Sequence, residues 1–228
     1  MCTIVLIRPG CTDFDDQQRI QGTLDLPLNA RGEQQVLRTI HELREIPLQL
    51  IYTSPCEPAR STALAIGEEL GLPVREIDGL RNLHQGLWEG LQVEEVRRKH
   101  PKVFKQWQDA PETICPPEGE MLADVVDRVR KALERPFRKN YNLAVVASEP
   151  LASVIRCVVR GCKPECLAPV GDGGEGRNWE LLTVSANGAA PSAPPGSTSG
   201  GGSDSIIDIV PIHVSSRSGV PHEFGREA

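Results

Sequence analysis

Residues 3–7 form an unbroken run of β-branched and apolar side chains, and residues 142–147 are nearly as apolar. A strand with apolar residues on both faces belongs inside a parallel sheet that helices cover on each side. The intervening sequence supplies such helices. Asn29 can cap a helix over 30–45, in which Val36, Leu37, Ile40 and Leu43 recur at helical spacing. Residues 48–53 read as a second strand and 73–77 as a third. Pro58 stands at the start of a helix ended by Gly71. Two short helices are expected near 92–99 and 101–109, and a longer amphipathic one over 119–135. A further helix follows 147, and residues 179–184 close the sheet. This alternation predicts an α/β domain, a three-layer α/β/α sandwich with a mostly parallel central sheet.

The chain has 228 residues, enough for one domain and a tail. The domain is expected over 1–185, with a Gly/Ser/Pro-rich flexible linker over 186–204 and a tail over 205–228. Residues 206–214 are apolar except at Asp208, Pro211 and His213. They could add a strand to a sheet edge, or simply pack on their own domain. A net charge of −6 argues against nucleic-acid and anionic-membrane surfaces. No apolar run is long enough for a transmembrane helix, and residues 4–7 are too short for a secretory core. Seven cysteines, odd in number and irregular in spacing, point to a reduced, cytoplasmic chain. Cys162 and Cys166 are the one close pair, and no second pair or nearby histidine completes a metal site. No cofactor or metal is expected.

Five short motifs occur in order. The first is Arg8-Pro9-Gly10-Cys11-Thr12, followed by Asp15, by Arg19, Gln21 and Gly22, and by Asp25, Pro27 and Leu28. The second is Thr53-Ser54-Pro55-Cys56, with Thr62-Ala63 beyond it. The third joins Leu80-Arg81-Asn82 to Gly86-Leu87-Trp88-Glu89-Gly90. Pro117-Glu118-Gly119-Glu120 and Val145-Val146-Ala147-Ser148-Glu149-Pro150 complete the set. Together they resemble the histidine phosphatase (phosphoglycerate mutase-like) superfamily over residues 3–184. The resemblance implies that family's fold, with Trp88 and Glu89 bracing it. It puts Pro9 at the position of the phosphate-accepting histidine and Asp15 at a phosphate-contacting asparagine. Pro58 falls on the second phosphate arginine, Asn82 on the proton-donating glutamate, and Ser148 on the second histidine; a one-residue slip would put Glu149 there. Arg8 alone of the usual pocket positions is kept.

The family's reaction needs a nucleophilic imidazole, cations around the transferring phosphoryl group and an acid for the leaving oxygen. Pro9, Pro58, Asn82 and Ser148 supply none of these, so no catalytic residue is expected. Losing one nucleophile costs on the order of 10⁶ in rate, and losing its partners adds little. The remaining candidates for ligand contact are Arg8, Asp15, Gln21, Gly22 and Glu149. A charge-assisted hydrogen bond from Arg8 is worth about 1.5–3 kcal/mol; micromolar binding needs about 8 kcal/mol. Glu149 can act as a built-in anion on the helix-terminal amides and Arg8, or as a solvated first-turn glutamate. Ser148 can serve as a helix N-cap, and no Gly-x-Ser-x-Gly elbow surrounds it.

Cys11 and Cys56 offer a non-histidine nucleophile, although a Cys-x₅-Arg cradle is missing. His84 precedes Gly86 and could border the pocket. Arg19, Arg60 and Arg81 could reach its mouth or form surface ion pairs. The expected function is a catalytically inactive phosphatase-fold protein acting as a binding or regulatory module. The alternative is a phosphomonoesterase of altered or residual activity. The partner is an unknown protein or a small phosphorylated ligand, and a homodimer is compatible with the sequence.

Overall fold

The computed structural model describes residues 2–162 and 177–184. The expected linker over 186–204, the tail over 205–228 with its apolar run, Cys166, His213 and His222 lie outside the described residues.

Five strands form one sheet in the order β3-β2-β4-β1-β5. They are β1 (Cys2–Ile7), β2 (Leu50–Thr53), β3 (Val74–Glu76), β4 (Leu143–Val146) and β5 (Trp179–Val184). The first four are mutually parallel, and β5 runs antiparallel to β1. The unbroken apolar runs have a direct cause, because both faces of the sheet are covered. Val5, Ile7, Ile51, Ala144 and Val146 point toward α2 (Ala30–Leu43) and α3 (Ala59–Leu70), against Val36, Ile40, Ala63 and Ile66. Ile4, Leu6, Tyr52, Leu143 and Val145 point the other way. There α6 (Leu122–Lys139) and α7 (Leu151–Arg160) supply Val125, Val129, Leu133, Val154 and Ile155. The three-layer arrangement is the one expected.

Helix boundaries follow local chemistry. The Asn29 side chain accepts from Gly32 N at 2.8 Å and starts α2. The helix expected over 119–135 begins at Leu122 and runs four residues further, carrying Pro136 in its last turns, to Asn140 in the left-handed region. α4 (Val93–Lys99) and α5 (Pro101–Asp109) fall where two short helices were expected. Trp88 and Trp107 meet edge to face, 6.0 Å apart, where these helices join the core. A short helix absent from the sequence reading, α1 (Asp13–Asp16), is held by a Thr12–Asp15 capping box.

Register fixes what stands at the sheet's C-terminal edge. Ile7 pairs with Val146, and Val146 with Thr53. The chain therefore leaves β1, β4 and β2 side by side, into the segments around Arg8, Ser148 and Ser54. The segment after β1 runs close against α2. A Cβ on Gly32 would lie 2.1 Å from Cys11 O, and one on Gly10 2.4 Å from Gly32 O. Gly32→Ala is expected to lower stability by about 1–3 kcal/mol through overpacking. Urea unfolding followed by tryptophan fluorescence measures it.

Candidate functional site

In open α/β sheets a ligand sits beyond the C-terminal ends of the strands, where the order of connections reverses. In this chain that place lies beyond β2, β4 and β1. It is flanked by the N-terminus of α3 on one face of the sheet and of α7 on the other. Such helix ends attract anions, because their first N–H groups lack intrahelical partners. Here most of those donors are already taken: Arg60 N, Ser61 N and Thr62 N at α3, and Leu151 N, Ala152 N, Ser153 N and Val154 N at α7.

The segment after β1 is the first case. Pro9 has no N–H. Gly10 N donates to Thr62 Oγ1 at 3.2 Å, Cys11 N to Gln35 Oε1 at 2.9 Å and Thr12 N to Asp15 Oδ2 at 2.7 Å. The Asp15 carboxylate thereby closes the α1 capping box.

The two helix starts repeat one arrangement. Glu57-Pro58 precedes α3 and Glu149-Pro150 precedes α7, both through cis peptide bonds. In each, proline occupies the N-cap position and offers no side-chain cap. The glutamate one residue earlier reaches over it to the serine three residues into the helix. Glu57 Oε2 accepts from Ser61 N at 3.0 Å and from the Ser61 hydroxyl. Glu149 Oε2 accepts from Ser153 N at 3.1 Å and from Ser153 Oγ at 2.7 Å. The neighbouring donors close internally. Arg60 N reaches Cys56 O, and Thr62 N reaches Pro58 O. Ala152 N reaches Ser148 O, and Val154 N reaches Pro150 O. Leu151 N donates to Asn82 Oδ1 at 3.3 Å.

Ser148, expected as an N-cap, does not cap α7. The helix begins at Leu151, and Ser148 contributes its backbone carbonyl. Pro150 displaces the cap position by two residues, and Glu149 performs the capping. Glu149 takes up one helix-terminal amide, Ser153 N, and the Ser153 hydroxyl. The cation beside it is Arg156, with Nη2 4.0 Å from Oε1. Arg156 Nε also donates to Glu180 Oε1 at 2.6 Å, tying α7 to β5. Arg8 Nη2 donates to Arg177 O at 3.4 Å.

Asn82 joins four chain positions. Its Nδ2 donates to Gly22 O at 2.9 Å and to Glu149 O at 3.0 Å. Its Oδ1 accepts from Leu83 N and Leu151 N. Arg128 of α6 fixes the approach to it by donating to the carbonyls of Gly79, Arg81 and Asn82. Gly22 (φ +56°) lies so close to Glu89 that a Cβ would sit 2.1 Å from its Oε1. Glu89 accepts from Thr23 N and Gln85 N, each at 3.0 Å, and braces the two loops as expected of it. Gln21 Nε2 donates to Glu57 O at 3.1 Å. Gln21 and Gly22 thus lie against Glu57 and Asn82.

The other candidates divide. Arg60 Nε pairs with Glu76 at 2.8 Å, and its Nη1 lies 3.5 Å from Glu57. Arg19 Nη1 donates to Gly90 O at 2.6 Å. His84 Nε2 lies 3.9 Å from Glu89 Oε1. Cys11 is buried, and burial pushes its thiol up from the ordinary value, with Asp15 adding to the rise against the Gln35 hydrogen bond and Arg31. That favours the inert protonated form. Cys56 is part-exposed, and Arg81 Nη1 lies 2.9 Å from its sulfur while Arg81 Nε pairs with Asp78. Among the described residues no group of three or more His, Cys, Asp or Glu could hold a metal ion. No helix among them is long and apolar enough to cross a membrane.

Glu57, Ser61, Ser153 and Arg156 were not singled out from sequence. A signal was present, since Glu-Pro-x-x-Ser occurs at 57–61 and again at 149–153.

The strand order and the loops gathered at this edge define an α/β domain of the phosphoglycerate mutase-like type. The chain belongs to the histidine phosphatase superfamily (branch 1), whose family model matches residues 4–169. It is 35% identical over 146 residues to phosphoserine phosphatase 1 of Hydrogenobacter thermophilus, covering 64% of this chain and 69% of that one. An uncharacterized phosphatase PhoE of Bacillus subtilis is 30% identical over 167 residues, covering 72% and 81%. A mycobacterial glucosyl-3-phosphoglycerate phosphatase, solved with VO3, superposes with a TM-score of 0.69 at 26% identity, over 80% of this chain and 91% of that one.

Asn82→Ala leaves buried carbonyls and N–H groups without partners and is expected to cost about 2–4 kcal/mol. Glu57→Ala and Glu149→Ala each remove a helix cap and are expected to cost about 1 kcal/mol. Equilibrium denaturation of the three variants gives the ranking.

Proposed function

We propose that this chain is a catalytically silent member of the superfamily, a pseudophosphatase that serves as a binding or regulatory module. One observation carries the reading. The positions that the resemblance assigns to phosphoryl transfer are occupied by groups engaged in holding the chain together. Asn82 ties Gly22 to the start of α7, and Pro58 and Pro9 have neither a nucleophile nor an N–H. Ser148 lends only a carbonyl to α7. An attacking imidazole, a second cation and a leaving-group acid are each needed, and none of these four side chains provides one.

The same geometry separates two kinds of partner. A phosphorylated small molecule would have to displace the Glu57 and Glu149 carboxylates from the helix-terminal donors they occupy. A protein surface need not. The reading therefore favours a protein partner, in a cytoplasmic setting, with no nucleic acid or membrane involved.

A second reading has one observation in its favour. Cys56 is part-exposed with the Arg81 guanidinium against its sulfur. A thiol so placed could act as a non-histidine nucleophile toward a phosphomonoester.

Hydrolysis of p-nitrophenyl phosphate decides between them. The native protein is expected to match buffer, and Pro9→His alone is expected to stay at that level because the other partners are still missing. Turnover above buffer that disappears in Cys56→Ala would establish the second reading and end the first. In a parallel thermal-shift titration, millimolar inorganic phosphate or orthovanadate is expected to leave the melting temperature unchanged. A saturable rise would show that the helix-terminal donors remain open to anions.

A further inference from the structure

The C-terminal end of α7 carries a feature that the proposed function does not use. Gly161, in the left-handed region, ends the helix, and Cys162 N donates to Cys157 O at 3.0 Å while Gly161 N donates to Val158 O at 3.4 Å. These two bonds make a Schellman stop. In that motif the residue after the glycine folds back onto the side chain five positions earlier. Usually the contact is between two apolar residues. Here both are cysteines, and the 3.0 Å bond from Cys162 N to Cys157 O holds their backbones together. Both are free thiols. Both also line a cavity of about 280 Å³, together with Leu122, Val126, Asp127 and Arg130 of α6.

We propose that Cys157 and Cys162 are a redox-active dithiol that closes to an intramolecular disulfide across the end of α7. Along the chain the nearest cysteine to Cys162 is Cys166. The turn after α7 brings it back to Cys157. A six-residue reversal held by two backbone hydrogen bonds brings the two residues together on one cavity wall before any bond forms, and a disulfide requires such a short span between its residues.

The two sulfurs have different parts. Cys162 is exposed, and Cys157 is part-buried. Burial pushes the Cys157 thiol up to about 12, with the nearby Cys162 thiol adding to the rise. Cys157 therefore stays protonated until its partner has reacted. The oxidant is a low-molecular-weight disulfide such as oxidised glutathione. The Cys162 thiolate attacks one of its sulfurs, the glutathione S–S bond breaks, and one glutathione thiolate leaves with the electron pair. The Cys157 sulfur, losing its proton, then attacks the Cys162 sulfur and expels the second glutathione. Two protein thiols are oxidised by two electrons, and one oxidised glutathione becomes two reduced ones. The closed pair would staple the last turn of α7 and replace two thiols on the cavity wall with an apolar bridge.

The test uses the full chain in glutathione buffers of graded oxidised-to-reduced ratio, quenched in acid, alkylated and mapped by mass spectrometry. The expected product is a peptide linking Cys157 to Cys162, lighter by two hydrogens and reversed by dithiothreitol. Cys157→Ser is expected to arrest the reaction at glutathionylated Cys162. Cys162→Ser is expected to leave Cys157 unmodified at ratios that fully link the native protein. Two results would overturn the proposal. One is a Cys162–Cys166 link formed in preference. The other is mixed disulfides on the remaining cysteines with no 157–162 link at any ratio.

Discussion

The C-terminal edge of this sheet is held by acceptors that the chain itself supplies to its helix starts. Parallel α/β architecture aims helix N-termini at that edge, and their free N–H groups and dipoles demand negative partners there. In this chain Glu57 and Glu149 meet α3 and α7 from two residues before each helix begins. Asn82 takes the first N–H of α7, and Thr62, Gln35 and Asp15 take the donors after β1. The positions of the loops around Gly22, Asn82 and Glu149 follow from these bonds.

A tethered carboxylate has an advantage over a dissolved anion. It loses no translational freedom on binding, and its effective concentration is set by the short chain that carries it. Glu149 adds burial, its side chain being 6% exposed, and a cation in Arg156. A free phosphate must first break bonds that are already charge-assisted. Substituting Pro9 leaves this competition unchanged, so Pro9 alone does not determine what the edge can bind.

Much of the fold was legible because its signals are local. The apolar run at 3–7 could only be a doubly covered strand, Asn29 caps α2 with its own side chain, and Gly71 ends α3. The start of α6 was less legible, since no side chain caps it and its residues pack through tertiary contact. At the site, Pro9, Pro58 and Asn82 could be read as departures because a residue type states what chemistry it lacks. The bonds that the neighbouring residues make could not be read so directly. The pairing of Arg156 with Glu149 and Glu180 depends on β5 lying beside β1, which is a property of the assembled sheet. Ser148 was misjudged because capping was attributed to the nearest hydroxyl, whereas Pro150 moves the helix start beyond its reach.

The three prolines tie the account together. Pro9, Pro58 and Pro150 stand where β1, β2 and β4 give way to loop or helix, and each removes an N–H from the one region of the fold that ordinarily collects them. Proline at an N-cap cannot cap with its side chain, so α3 and α7 need an acceptor from elsewhere. A glutamate one residue earlier, with a serine at the third helical position to receive it, meets that need twice in unrelated helices. Losing donors and gaining internal anions are therefore one change at this edge. Most of the helix-terminal amides at this edge are therefore engaged within the chain, and what the edge presents is set largely by side chains and surface shape.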